Sequence, residues 1–187
     1  MKNAVRTRCL LPSLLLVSFA LPLALHAQTR ESALSDAEVE KLRDTSYFPN
    51  ERVLAFIVFL DDRTGDIHKT ITGPRRPGRE EDIHDLMEQF TSIADELLDN
   101  LDDYAPRHKD IRKALPKLLQ ATDRWGTILR SPPDNDAYNL VRRLALESLR
   151  DIREETTQLI DEQKTWFAAH PPAKDGESKD GRPGGGG

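Results

Sequence analysis

Little in this chain could cross-link it: Cys9 is the single cysteine among 187 residues. An intramolecular disulfide is excluded, and so is a C-x-x-C-H haem attachment. Long apolar runs are equally scarce, because nothing after residue 27 approaches the roughly 18 residues of a membrane span. Basic charge is in short supply too. Of 27 lysines and arginines, three lie in the first eight residues; the 24 that follow face all 32 acidic side chains, for a formal charge of −8. A surface of that sign repels phosphate, which excludes nucleic acid as a partner.

The first 27 residues read differently from the rest. MKNAVRTR carries Lys2, Arg6 and Arg8 and is followed by CLLPSLLLVSFALPLAL, the basic and then apolar pattern of a signal peptide. Cleavage is expected after Ala27, with an uncleaved anchor as the alternative because Leu25 is larger than the small residue favoured before a cut. There is no twin arginine, and Cys9 sits too early in the apolar run to accept a lipid at its end. The expected location is outside the cytoplasm of a bacterium, either periplasmic or secreted. Residues 28–170 then form one domain, a size that holds a core of its own without disulfides. KDGESKDGRPGGGG closes the chain, so residues 171–187 read as a disordered tail.

Within the domain the apolar side chains recur every three to four positions. Residues 136–169 contain no proline or glycine and read as one long helix, with Ala137, Val141, Leu144, Ser148, Ile152, Leu159 and Trp166 facing inward. Ser35 and Glu38 make a capping box, which starts a short helix over 36–44 carrying Val39 and Leu42. Pro49 suits the first turn of another, over about 50–71, along which Val53, Phe56, Ile57, Leu60, Thr64, Ile67 and Ile71 share a face. TGPRRPGR, residues 72–79, is a loop by its prolines and glycines. Beyond it, residues 80–104 carry a stripe from Ile83 to Tyr104. A fourth segment, 107–130, holds Ile111, Leu115, Leu118, Thr122, Trp125 and Leu129 in register, with a kink expected near Arg112 because Pro116 removes a donor. Short connections between helices predict an all-α, antiparallel up-down four-helix bundle with an extra short N-terminal helix and a long C-terminal one. The last helix outruns its neighbours, and the 36–44 helix is expected to cap the overhang.

Chemistry is harder to find. A di-iron bundle needs two E-x-x-H motifs; Glu81-Asp82-Ile83-His84 is one and has no second, and His84 falls beside the apolar stripe. His68, His108 and His170 are scattered and read as surface histidines. Asp61 to Asp66 lacks the alternating ligands, central glycine and final glutamate of a calcium loop. No serine sits in a nucleophile-elbow glycine pattern. Catalytic, cofactor-binding and metal-ligating residues are therefore expected to be absent. The one distinctive charge feature is Lys69, Arg75, Arg76 and Arg79 on a single loop, a tentative contact for an anion or an acidic partner. Arg107, His108, Lys109, Arg112 and Lys113 form a second basic patch, at the opposite end of an up-down bundle. Trp125, Trp166, Phe56, Phe90 and Tyr104 fall on inward stripes and read as core.

VEKLRDTSYFPNERV, residues 39–53, resembles the opening of uncharacterised exported bacterial all-helical proteins in which an L-R-D-T helix is followed by proline and E-R-V or E-R-I. The resemblance implies a small exported bundle and brings no activity with it. Together these readings point to an exported, non-enzymatic module that binds a protein or an envelope component. A small-ligand or metal-binding bundle is the alternative, and self-association through a flat side stays open.

Overall fold

A computed structural model describes residues 33–171, and within them five helices and no strand. The leader expected over 1–27 and the tail expected beyond Pro171 lie outside the described residues. The helices are α1 (Asp36–Asp44), α2 (Pro49–Thr72), α3 (Arg79–Tyr104), α4 (Leu115–Arg130) and α5 (Asn139–Ala169). None of the described helices is long and apolar enough to cross a membrane.

Helix starts follow their local chemistry. Ser35 accepts from the Glu38 amide while the Glu38 carboxylate takes the Ser35 N–H, closing the expected capping box of α1. Pro49 opens α2, where its missing donor is not needed. Gly78 precedes α3 at φ +80°, a left-handed turn that suits glycine.

Two starts differ from expectation. Helix α4 begins at Leu115 rather than near 107, and Pro116 lies in its first turn. A helix running through Arg112 would press the proline ring against that residue's carbonyl; the chain avoids the kink by starting the helix at the proline. Likewise α5 begins at Asn139, because Asn135 captures the Ala137 amide with its side chain and Tyr138 bonds back to the Pro133 carbonyl. Ala137 is left exposed.

The four long helices form a bundle in which α2 packs against α3 and α4, and α5 packs against the same two. Arg52 near the start of α2 bonds Asn100 near the end of α3. Trp125 of α4 bonds Asp61 of α2, and Ser148 of α5 bonds Asp95 of α3. Although consecutive, α3 and α4 do not form one of the principal helix contacts. The segment joining them, residues 105–114, is longer than the short connections that force neighbours together, and it carries the chain over the end of the bundle.

The core holds Phe56, Leu60, Phe90, Leu97, Leu101, Leu118 and Trp125, all without exposure. Phe90 meets Trp125 edge to face at 5.9 Å. Along α5 the buried stripe runs through Val141, Ala145, Ser148, Ile152, Thr156, Leu159 and Gln163. Leu144, expected on the inward stripe, faces water at 45% exposure, a correction, and Leu140 beside it is 60% exposed. The buried hydroxyls cost little, because Thr64, Thr122 and Thr156 each bond a carbonyl of their own helix.

The α1–α2 joint accounts for the L-R-D-T…P-x-E-R-V pattern. Leu42 is the buried anchor of α1, and Thr45 stops the helix by bonding the Lys41 and Leu42 carbonyls. Arg52 then reaches back to the Leu42 carbonyl. Further along α2, Arg63 grips Glu38 and the Ala33 carbonyl. Helix α1 thus lies along α2, and does not cover the end of α5 as expected.

Two outcomes follow. Burial alone would raise the Glu38 carboxyl, but the Arg63 and Ser35 hydrogen bonds outweigh it and hold the group below its ordinary range. A depressed folded value means the latch is complete above the unfolded carboxylate range and is lost as pH falls through the folded one. Hydrogen exchange of the α1 amides should therefore accelerate in acid, and Glu38→Gln should remove that acceleration. Separately, Asp61→Ala should destabilise by about 1–3 kcal/mol in denaturant titration, because it strands the buried indole N–H of Trp125. Asp61→Asn, which keeps an acceptor, should cost less.

Candidate functional site at the end of the longest helix

Helix α5 has 31 residues and α4 only 16, so the last turns of α5 extend past the start of α4. Residues 105–114 cover them. Two amide side chains clamp this segment from opposite sides. From α5, Gln163 donates to the Lys109 carbonyl at 2.8 Å and accepts from the Ile111 amide at 3.1 Å. From α2, Asn50 donates to the Asp110 carbonyl at 2.7 Å and accepts from the Ala114 amide at 3.0 Å. Gln163 is 3% exposed, and the clamp explains why an amide sits on an apolar stripe: it satisfies backbone groups that no helix ladder reaches.

The aromatic side chains here sit at the surface. Trp166, expected in the core, is half-buried. The His108 ring stacks on its indole at 3.6 Å with an 8° tilt, and the His170 ring lies 3.8 Å from it at 17°. His108 holds a positive φ of 49°, an uncommon conformation for a residue with a side chain. Arg112 lies 4.0 Å over the Phe167 ring. It also reaches Asp110 with two nitrogens, and that hydrogen bond holds the Asp110 carboxyl below its ordinary range.

Grooves open on both sides of this end of α5. One, of about 360 Å³, is lined by Arg112, Leu115, Pro116, Ile160, Lys164, Phe167 and Ala168. The other, of about 540 Å³, includes Ala105, His108, Leu159, Asp161, Glu162, Trp166 and His170. The first is apolar with a cationic rim, whereas the second carries carboxylates beside the stacked rings. Farther along α5, Glu155 is raised above its ordinary range by burial and by the neighbouring Asp102, Glu162 and Glu154, so the α3 side of this end is acidic.

The expected anion contact lies at the other end of α2. Lys69 pairs with Asp66 at 2.8 Å, Arg76 with Asp82, and Arg79 donates to the Ile71 carbonyl. Arg75 is exposed and has no ion pair among the described residues. Internal contacts therefore hold three of the four.

His84 bonds Asp85 at 3.1 Å. With Glu88 these two offer donor atoms within 4.8 Å of one another on a largely exposed face of α3. Glu81 of the E-x-x-H pattern is not in that group. Asp61 to Asp66 stays helical within α2. Thr122 lines an open groove of about 410 Å³ with Asp123, Arg150 and Arg153, while Ser148 is turned to Asp95 on α3.

No family model, curated protein or solved structure matches this chain. Sequence patterning missed the role of Gln163 and the stacking of His108 and His170. The available signal was a glutamine at the inward position i+4 from Leu159, beside a segment that Pro116 keeps from being helical.

Gln163→Leu tests the clamp. It leaves the Ile111 amide buried without its acceptor, so stability should fall by about 1–3 kcal/mol in denaturant titration. Trp166 should also become more accessible to an aqueous quencher in a Trp125→Phe background. Unchanged quenching would show that residues 105–114 stay seated without Gln163.

Proposed function

We propose that this protein is an exported, non-enzymatic helical-bundle module that binds a protein or envelope component through the end of the bundle where α5 outruns α4. One observation carries the reading: at that end, and on the same stretch of α5, two grooves flank half-buried aromatic side chains. Exposed large apolar groups rimmed by polar ones mark interaction surfaces more often than they mark packing. The non-enzymatic part rests on the interior, whose buried polar side chains are threonines, one serine and one glutamine. No buried carboxylate, histidine, lysine, arginine or cysteine stands among the described residues where a tuned proton donor would sit, and the hydroxyls of the two buried tyrosines, Tyr104 and Tyr138, donate to Asn100 and to the Pro133 carbonyl.

The bundle topology belongs to the same proposal. An up, down, up, down course of the four long helices is supported by Arg52 meeting Asn100, Asp61 meeting Trp125 and Gln163 meeting residues 109–111. It places the Lys69 to Arg79 loop away from the proposed binding end, as a second and weaker anion contact. Export rests on the basic and apolar pattern of residues 1–27 and on the likeness of residues 39–53 to other exported bundles. A small-ligand bundle would be favoured by a shared chamber at Thr122 and Ser148, and these two side chains are engaged with different neighbours.

A photo-crosslinking residue placed at Phe167 in living cells should capture a defined partner, whereas the same residue at Val58, exposed on α2, should not. Equal capture at both positions, or capture only at Arg75, would remove the binding role from this end.

A further inference from the structure

Resting on that reading, the groove between α4 and the end of α5 identifies the partner's chemistry. Its floor is Leu115, Pro116 and Ile160, with Phe167 and Ala168 alongside, and Arg112 and Lys164 stand on its rim. Lys113 and Lys117 flank Pro116 in the chain and are exposed. In this bundle most arginines reach an acidic partner, as Arg52, Arg63, Arg76, Arg107, Arg124 and Arg153 do. By contrast, Lys113, Lys117 and Lys164 form no salt bridge or hydrogen bond among the described residues. Lys164 therefore stands unpaired on the rim of the trough beside Arg112, Lys117 follows the trough's Pro116 in the chain, and Lys113 lies in the field of Asp110, in a chain whose formal charge is −5. Carboxylates Asp161 and Glu162 line the groove on the other side of α5, so the α4 side of this end is the cationic one.

We propose that this face docks on a membrane leaflet containing anionic phospholipid, with the lysines at headgroup phosphates and the trough against acyl chain. Lysine is a compact point charge suited to phosphate, and the apolar floor suits methylene groups. A leaflet is favoured over a single soluble amphiphile by two more rings at the same end. Tyr47 is 90% and Phe48 57% exposed, just before Asn50, the residue that clamps Asp110 and Ala114. Aromatic rings left in water at one end of a rod are placed where membrane-bound proteins keep them, at headgroup level.

The test is co-sedimentation of the full chain with vesicles of phosphatidylcholine, with and without phosphatidylglycerol. Wild type and variants are compared side by side, so that any contribution of residues 1–27 is common to all. Binding should require phosphatidylglycerol, and Lys113→Gln/Lys117→Gln/Lys164→Gln should weaken it about a hundredfold with an unchanged circular dichroism spectrum. A charge-matched control at exposed positions away from this end, Arg130→Gln/Arg143→Gln/Arg150→Gln, should bind as wild type does. Equal loss in the control, equal binding by the triple lysine variant, or equal binding to pure phosphatidylcholine would overturn the inference. A protein captured at Phe167 together with no vesicle binding would also overturn it, while leaving the binding end intact. Binding of soluble dodecanoate without vesicle binding would overturn it in favour of a single-molecule ligand.

Discussion

The organising constraint is a mismatch of lengths. Helix α5 exceeds α4 by 15 residues, roughly 22 Å of rod, and its apolar stripe does not stop where α4 begins. Something had to lie against Leu159, Ile160, Trp166 and Phe167, since an amphipathic helix is stable only against a surface that takes its apolar face. Residues 105–114 do this without being helical; local turns satisfy some of their amides, as His108 to the Ala105 carbonyl and Lys109 to the Tyr104 carbonyl, while the Lys109 and Asp110 carbonyls and the Ile111 and Ala114 amides reach partners from elsewhere. Asn50 and Gln163 supply those partners, each using both ends of a carboxamide. The cover is therefore polar in its bonding and apolar in its contacts, with Ile111 and Ala114 fully buried.

That solution leaves the covered end less sealed than the middle of the bundle. Phe56, Phe90 and Trp125 are wholly enclosed by helices on several sides, and Trp125 even finds a carboxylate for its indole. Trp166 and Phe167 have helix on one side and a single strap of chain on the other. Their remaining faces are met by histidine and arginine side chains, flat groups that stack on rings and can be displaced by something better. A closed core and an adaptable end are thus consequences of the same fold, and the second is where binding is proposed.

The contrast between the two basic clusters is instructive. Along the sequence, Lys69, Arg75, Arg76 and Arg79 stand out because they are dense and lie in an evident loop. In the fold, Asp66, Asp82 and the Ile71 carbonyl occupy three of them. Arg112 and Lys164 are far apart along the chain, and only the packing of α5 against α4 brings them to the rim of one trough. Density of charge in sequence says little about which charges are left without partners, because pairing is decided by side chains from other elements.

What the amino-acid order determined alone is everything governed by neighbours within about four positions: the capping box at Ser35, the helix start at Pro49, a loop between α2 and α3, which the structure confines to residues 73–78, and most of the inward face of α2 and α3. Those follow from local hydrogen bonding and from a 3.6-residue period that needs no knowledge of the partner helix. Only the tertiary structure decided where α4 starts, that Leu140 and Leu144 face water while Thr156 and Gln163 do not, and that α1 lies on α2. It also placed two histidines 62 positions apart on one indole. Each of these depends on which surface a side chain meets across the bundle, and periodicity along one helix carries no record of that surface.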